Sequence, residues 1–302
     1  MANPRPKPAP WLLSEDPEST ALVNLVLASA ASPNTYKSYA IGIEGLRAFA
    51  DEEPITRIKL LQWRAAMKAN GNSASTVNLR LSAARALIRA AQRSGVIDAA
   101  QAFDLLQAQR LPTRGVRVGN WLSETQVRAL LAVPDRKSLR GKRDYCVLAV
   151  LVGCALRVAE LVALKARDIQ RRADRWVILD LESKGGRVRT IGIPTWVKEA
   201  IDAWTAAAKI CEGRLIRKTT LAPEGVCPET IWHIVQEAGG KIGVSGFGPH
   251  DLRRTCAKQC HAKGANLQQI QFMLGHADIR TTAIYLGVEQ DLSHTPNDSL
   301  VY

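Results

Sequence analysis

Residues 249–287 read PHDLRRTCAKQCHAKGANLQQIQFMLGHADIRTTAIYLG. Apolar residues recur at helical spacing along the stretch, with breaks at Gly264 and Gly275, so it should fold as a series of short helices. On the first, Arg253 follows His250 by three residues, which sets the guanidinium and the imidazole on one face. Leu274, Gly275 and His276 then make a turn. Nine residues after His276 comes Tyr285, in a segment that Thr281 and Thr282 are expected to start or cap.

Working upstream, Ala155–Leu161 reads ALRVAEL. A helix leaving Arg157 would carry Glu160 one turn on, where its carboxylate can orient the guanidinium. Trp176–Leu181 and Val188–Ile193 are β-prone runs flanking Glu182–Arg187, whose Lys-Gly-Gly core marks a hairpin turn and projects Lys184 from it. Ser123 with Gln126 three residues later starts one helix, and a second runs from Arg143 to about Ala155. A β-hairpin is thus set among helices.

Before this half lies Gln107–Asn120, QAQRLPTRGVRVGN, with little apolar periodicity, which reads as a linker. The first half is helical: Pro17–Ala31, Asn34–Ala50, Pro54–Ala69 and Ser75–Gly95 each show apolar residues at three- and four-residue spacing. In the last of these Val77, Leu81, Ala84 and Leu87 can face inward, while Arg80, Arg85, Arg89 and Arg93 make another side basic. The first ten residues hold four prolines and read as an extended or disordered arm.

The 302 residues carry 41 Lys and Arg against 28 Asp and Glu, a formal charge of +13. Residues 1–110 hold 13 basic and 9 acidic side chains and the remainder 28 and 19, so both halves are positive. Such a balance favours a polyanionic partner, nucleic acid first, though charge alone also serves solubility. The amino terminus lacks the apolar run of a secretory signal, and the uncharged, mostly apolar stretch Tyr145–Leu156 is too short to cross a bilayer. Six cysteines without CxxC pairs fit reduced thiols in a cytoplasm. Cys256, Cys260 and His261 share one helix with no distant partner set, so packing explains them better than a metal.

Arg157, Lys184, the HxxR of His250 and Arg253, the LGH of His276, and Tyr285 occur in an order that resembles the conserved boxes of the tyrosine recombinases. That family includes phage lambda integrase, Cre and the bacterial Xer recombinases. The helical first half is similar to the family's core-binding domain, so the resemblance covers essentially the whole chain. One departure is Ala155, where a glycine commonly precedes the Leu-Arg pair.

The resemblance implies a mainly α, two-domain DNA clamp with a small β-hairpin or sheet. Its parts would be an arm (1–15), a helical SAM-like core-binding domain (16–108), a linker (109–120) and a catalytic domain (121–302). It implies site-specific recombination through a 3′-phosphotyrosine on Tyr285 and a free 5′-hydroxyl. Arg157 and Arg253 would hold the phosphate, with His276 helping, while His250 serves as general base or hydrogen-bond donor and Lys184 as general acid. It implies double-stranded DNA bearing inverted repeats as partner, four protomers on DNA, and neither metal, ATP nor other cofactor. The segment Leu286–Tyr302, short and polar with Pro296, would either dock on a neighbouring protomer or be a frayed terminus.

The residue chemistry agrees. Phosphodiester cleavage builds negative charge on nonbridging oxygens, which forked guanidinium groups stabilise bidentately. A tyrosine hydroxyl, ordinarily near pKa 10, needs cations or a base beside it to attack at neutral pH. Any one of these side chains alone would more often be an ion-pair, turn or packing residue; their conjunction carries the reading. Arg80, Arg85 and Arg89 are candidate DNA contacts in the first domain. Two rivals stand beside recombination: a type IB topoisomerase-like relaxing enzyme, and a catalytically idle DNA-binding protein.

Overall fold

A computed structural model of the chain describes residues 16–112, 120–183, 187–220 and 224–287. The expected arm, most of the linker, Lys184 and the segment after Gly287 lie outside the described residues. The chain divides into two compact units, residues 1–115 and 116–302.

The first unit is helical: α1 (Pro17–Ala28), α2 (Pro33–Ala50), α3 (Arg57–Ala69), α4 (Ala74–Arg93) and α5 (Ala99–Leu106). Asp16, Ser32, Thr56, Ser73 and Asp98 each stand one residue before a helix, and their side-chain oxygens accept from backbone N–H groups of its first turn. Helix α5 was not legible from periodicity, because eight residues are too few for the repeat to register. Its signature is instead the Asp98/Gln101 capping box. Helix α4 touches α1, α2, α3 and α5, and Val77, Leu81, Ala84 and Leu87 are buried as the spacing predicts. Gly42 admits α2 to close approach, since a Cβ there would stand 2.9 Å from that of Ala83.

The basic side of α4 is not uniform. Arg89 is exposed and Arg80 half-buried, but Arg85 Nη1 donates to the carbonyls of Leu106 at 2.6 Å and Ala108 at 3.4 Å, closing the end of α5. The expected linker also begins late. The Asn78 side chain exchanges two hydrogen bonds with the backbone of Leu111, and Arg64 donates to Gln109 O, so residues 109–111 are held against the first unit.

The second unit contains α6 (Glu124–Ala132), α7 (Leu139–Cys154), α8 (Val158–Ala163), strands β1 (Ile169–Arg172), β2 (Arg175–Ser183) and β3 (Arg187–Gly192), then α9 (Thr195–Ala207), α10 (Pro228–Lys241), α11 (Pro249–Ala262), α12 (Leu267–Leu274) and α13 (Ile279–Leu286). Helix α7 starts four residues before the expected Arg143, because Ser138 caps the N–H of Gly141 at 3.0 Å. Residues Cys146–Leu151 are fully buried, and α7 is the post against which α6, α8, α9, α10 and α11 pack.

The expected hairpin is the β2–β3 part of a three-stranded antiparallel sheet in the order β1-β2-β3. Strand β1, reading IQRR, has one apolar residue and no alternation to betray it. A register shift lies between Ile178 and Leu181, so that Ile178 faces Ile191 while Leu181 faces Arg189. Arg189, two residues before the buried Ile191 on β3, therefore shares its inward face.

The chain enters this unit clamped to α11. Leu122 N–H donates to Thr255 Oγ1 at 3.0 Å, that hydroxyl donates to Asp251 O at 2.7 Å, and Gln259 Nε2 donates to Leu122 O at 3.3 Å. Lys258 lies over the Trp121 ring at 4.1 Å, and Lys263 pairs with Glu124. Replacing Thr255 by Val keeps the shape and orphans a buried N–H, a loss of about 1–3 kcal/mol. The unfolding transition of the second unit should fall by several degrees in scanning calorimetry, and an unchanged midpoint would deny the clamp.

Candidate active site

The site grows from one buried carboxylate. Glu160, on the first turn of α8 and 6% exposed, accepts from Arg157 Nη1 at 2.8 Å and from Arg157 N at 2.8 Å. It also takes both ends of the Arg189 guanidinium, at 3.1 and 2.9 Å. The expected Glu160–Arg157 contact is present. Burial pushes the Glu160 pKa up, but the hydrogen bonds from Arg189 and from the Arg157 backbone outweigh it and hold the carboxyl below its ordinary 4.5.

Arg253 lies 3.9 Å from the same carboxylate and is 1% exposed. Its Nη1 donates to Ala155 O at 2.6 Å and its Nη2 to Leu274 O, so α11 ties the end of α7 to the end of α12. Burial first, then repulsion from Arg157, lowers Arg253 to about 10, which leaves it charged at neutral pH. Ala155, where the sequence departs from the family pattern, has φ 53 and ψ 34. A left-handed residue with a Cβ costs roughly 1–2 kcal/mol, and the bond from Arg253 helps hold it there.

Around this arginine group stand two imidazoles and a phenol. His250, at the start of α11, and Tyr285, on α13, meet edge to face with ring centroids 5.6 Å apart. His276, in the turn after α12, meets Tyr285 at 5.5 Å and 83°. The Tyr285 oxygen is buried and has no hydrogen-bond partner among the described residues. Burial raises its pKa, opposed by Arg253, Arg254 and Arg157.

Both histidines are neutral at pH 7. His250 is open on one side, yet desolvation on the other lowers its pKa, with Arg254 and Arg253 adding repulsion. His276 is lowered to about 4 by burial and by Arg253 and Arg157. Its Nδ1 stands 2.9 Å from Thr282 Oγ1. Thr282 is thus not the helix cap expected of it: Asp278 caps α13 at the N–H of Arg280, and Thr282 is buried against His276.

Arg157, His250, Arg253, His276 and Tyr285 are therefore brought together from α8, α11, the α12–α13 turn and α13. Arg80, Arg85 and Arg89 belong to the other unit. Sequence reading missed Arg189, whose signal is a charged residue at a core-facing position of a strand, and Arg254, whose guanidinium carbon lies 4.9 Å from the centre of the Tyr285 ring.

Two family models match the chain: the phage integrase family over residues 120–291, and the phage integrase N-terminal SAM-like domain over residues 22–95. The chain belongs to the phage integrase family. It is a tyrosine recombinase, an enzyme of site-specific DNA recombination that cleaves and rejoins DNA. The tyrosine recombinase XerD of Pseudomonas aeruginosa is 30% identical over 275 residues, 86% of this chain and 89% of that protein. The tyrosine recombinase XerA of Thermococcus onnurineus is 29% identical over 85% of this chain and 86% of its own. Among solved structures, the XerH site-specific recombinase bound to its palindromic difH substrate shares the fold with a TM-score of 0.71 at 17% identity, over 83% of this chain and 76% of that one. A lambda integrase dimer bound to a COC′ core site follows at 0.68 and 19%, over 90% of this chain and 79% of its own.

Removing the charge of Glu160 takes away the carboxylate that neutralises the buried Arg189 guanidinium, so Glu160→Gln in this recombinase should cost about 3–5 kcal/mol. A carboxyl depressed in the folded state contributes stability above pH 4.5 that is lost as pH falls through the folded value. The stability gap between wild type and Glu160→Gln, followed by thermal unfolding, should narrow below about pH 4.5. A gap constant down to pH 3 would contradict the pairing.

Proposed function

We propose that Tyr285 is the nucleophile of strand cleavage, attacking a phosphodiester held by Arg157 and Arg253. The observation that carries this is the edge contact of both imidazoles with a buried phenol that has no hydrogen-bond partner among the described residues, with Arg253 and Arg157 close enough to act on it electrostatically. In the step, a bond forms between Tyr285 Oη and phosphorus, and the bond from phosphorus to the 5′-oxygen breaks. His250, neutral at pH 7, takes the phenolic proton. In the tautomer that accepts from Thr282 at Nδ1, the His276 proton sits on Nε2, a donor for a nonbridging oxygen. Lys184 supplies the proton for the departing 5′-hydroxyl. Rejoining reverses the step with another strand's 5′-hydroxyl, so the phosphotyrosine bond conserves the energy and no ATP is required.

We further assign inverted-repeat sites synapsed by four copies, each contributing one Tyr285, in the cytoplasm, where the six free thiols stay reduced. In the first unit Arg80 and Arg89 are assigned to DNA phosphates, while Arg85 supports that face by bracing α5. Each neutralised phosphate releases counterions, so affinity should fall steeply from low to moderate salt. Arg89→Ala should weaken binding across sequences and lower the slope of log affinity against log salt by about one. A slope identical to wild type would remove Arg89 from the interface.

Tyr285→Phe should bind DNA as wild type does and form no covalent complex on a nicked suicide substrate carrying the true site, incubated with chelator and without ATP. Lys184→Ala should slow cleavage of ordinary DNA far more than cleavage of a substrate with sulfur at the 5′-bridging position, a leaving group that needs no proton. A covalent band in Tyr285→Phe, or equal slowing of both substrates by Lys184→Ala, would overturn these assignments.

A further inference from the structure

A nucleophile whose oxygen is buried, with no hydrogen-bond partner among the described residues, is placed by its ring. The Tyr285 ring has an edge contact with His250 and another with His276. On its face stands the Arg254 guanidinium, with its carbon 4.9 Å from the ring centre. Arg254 is itself braced: Nη1 lies 3.6 Å from Asp251 Oδ1, and Asp251 Oδ2 accepts from Gly248 N at 3.0 Å. The two side chains are 14% and 18% exposed, enough desolvation for a cation over an aromatic face to count. Helix α11 thus supplies adjacent residues with different tasks. Arg253 is turned to the Ala155 and Leu274 carbonyls and to Glu160, and Arg254 to the phenol.

We propose that Arg254 is a positioning residue for Tyr285, holding the phenol ring in its own protomer's site and keeping a positive charge beside it. The proposal rests on the reading of Tyr285 as nucleophile. Two consequences follow from the charge. It opposes the rise that burial imposes on the Tyr285 pKa, and it helps keep His250 neutral and able to accept a proton. The charged and titratable groups facing these two rings are Asp251, Arg253 and Arg254 of α11, Arg157 at the start of α8, and His276 after α12. Among them Arg254 alone lies over the ring face.

The test compares full-length wild type, Arg254→Gln and Arg254→Lys on the suicide substrate, with affinity for the uncleaved site measured separately. Arg254→Gln should slow covalent-complex formation at saturating DNA by about tenfold, the size of one desolvated cation–aromatic contact, with affinity within about twofold. The acid limb of its pH–rate profile should move to higher pH, because His250 protonates more readily without the neighbouring charge. Arg254→Lys should keep the wild-type limb and recover part of the rate. A rate within about twofold of wild type with an unmoved limb would make Arg254 a packing residue and overturn the proposal.

Fluorotyrosine placed at position 285 separates this failure from failure of the nucleophile reading. If wild type forms no covalent complex, the nucleophile reading falls, while the fluorine resonance still decides whether Arg254 governs the phenol. A Tyr285 titration raised in Arg254→Gln and restored in Arg254→Lys supports that role, and identical titrations in all three proteins overturn it.

Discussion

A carboxylate removed from water in the company of three guanidinium groups is the arrangement on which the second unit depends. Glu160 accepts from Arg157 and Arg189 and lies 3.9 Å from Arg253. Three guanidinium groups gathered in one place repel one another, and without an internal anion the group would splay or draw in water. One anion among three cations leaves a net positive site, the sign a nonbridging phosphate oxygen requires. The two inner arginines also donate to protein groups: Arg189 to Glu160 and the Met273 carbonyl, Arg253 to the Ala155 and Leu274 carbonyls. Arg157, with 34% of its side chain exposed, keeps the most open donor face.

The same carboxylate-centred group explains why the site spans so many elements. The Ala155, Met273 and Leu274 carbonyls are C-terminal groups of α7 and α12 that helices leave without internal partners. Arginine donors satisfy them, so the bonds that build the site also close the helices that carry it. Helix α11 joins both functions, since its outer side holds Leu122 where the chain enters the unit and its inner side holds Arg253 and the face of Tyr285. A continuous chain of contacts thus runs from the entry point to Tyr285 through Thr255, Asp251 and Arg254.

Much of this was legible in the sequence. The four long helices of the first unit, the hairpin and the HxxR face all rest on periodicity and spacing, which survive packing when elements are long. What escaped did so for identifiable reasons. Helix α5 has too few residues to show a period, and β1 has too few apolar ones. Arg85 sits among other arginines on a helix and reads as surface, but the carbonyls it caps lie at and just beyond the end of α5, which periodicity does not show. Arg189 reads as a hairpin charge, and only its spacing of two residues from the buried Ile191 on β3 shows that it faces inward. Arg254 reads as the solvent-facing neighbour of Arg253, because α13 returns Tyr285 to α11 only in three dimensions.

Glu160 and Arg189 act as a unit to set Arg157 and Arg253. A double-mutant cycle tests this most directly: rates of covalent-complex formation for wild type, Glu160→Gln, Arg189→Gln and the double variant at saturating DNA. Two members of one buried network should show strongly non-additive losses, with a coupling of about 1–3 kcal/mol and the double variant little worse than the poorer single one. Losses that simply add would mean that the two residues act independently, and would contradict the central place of the buried carboxylate in the site.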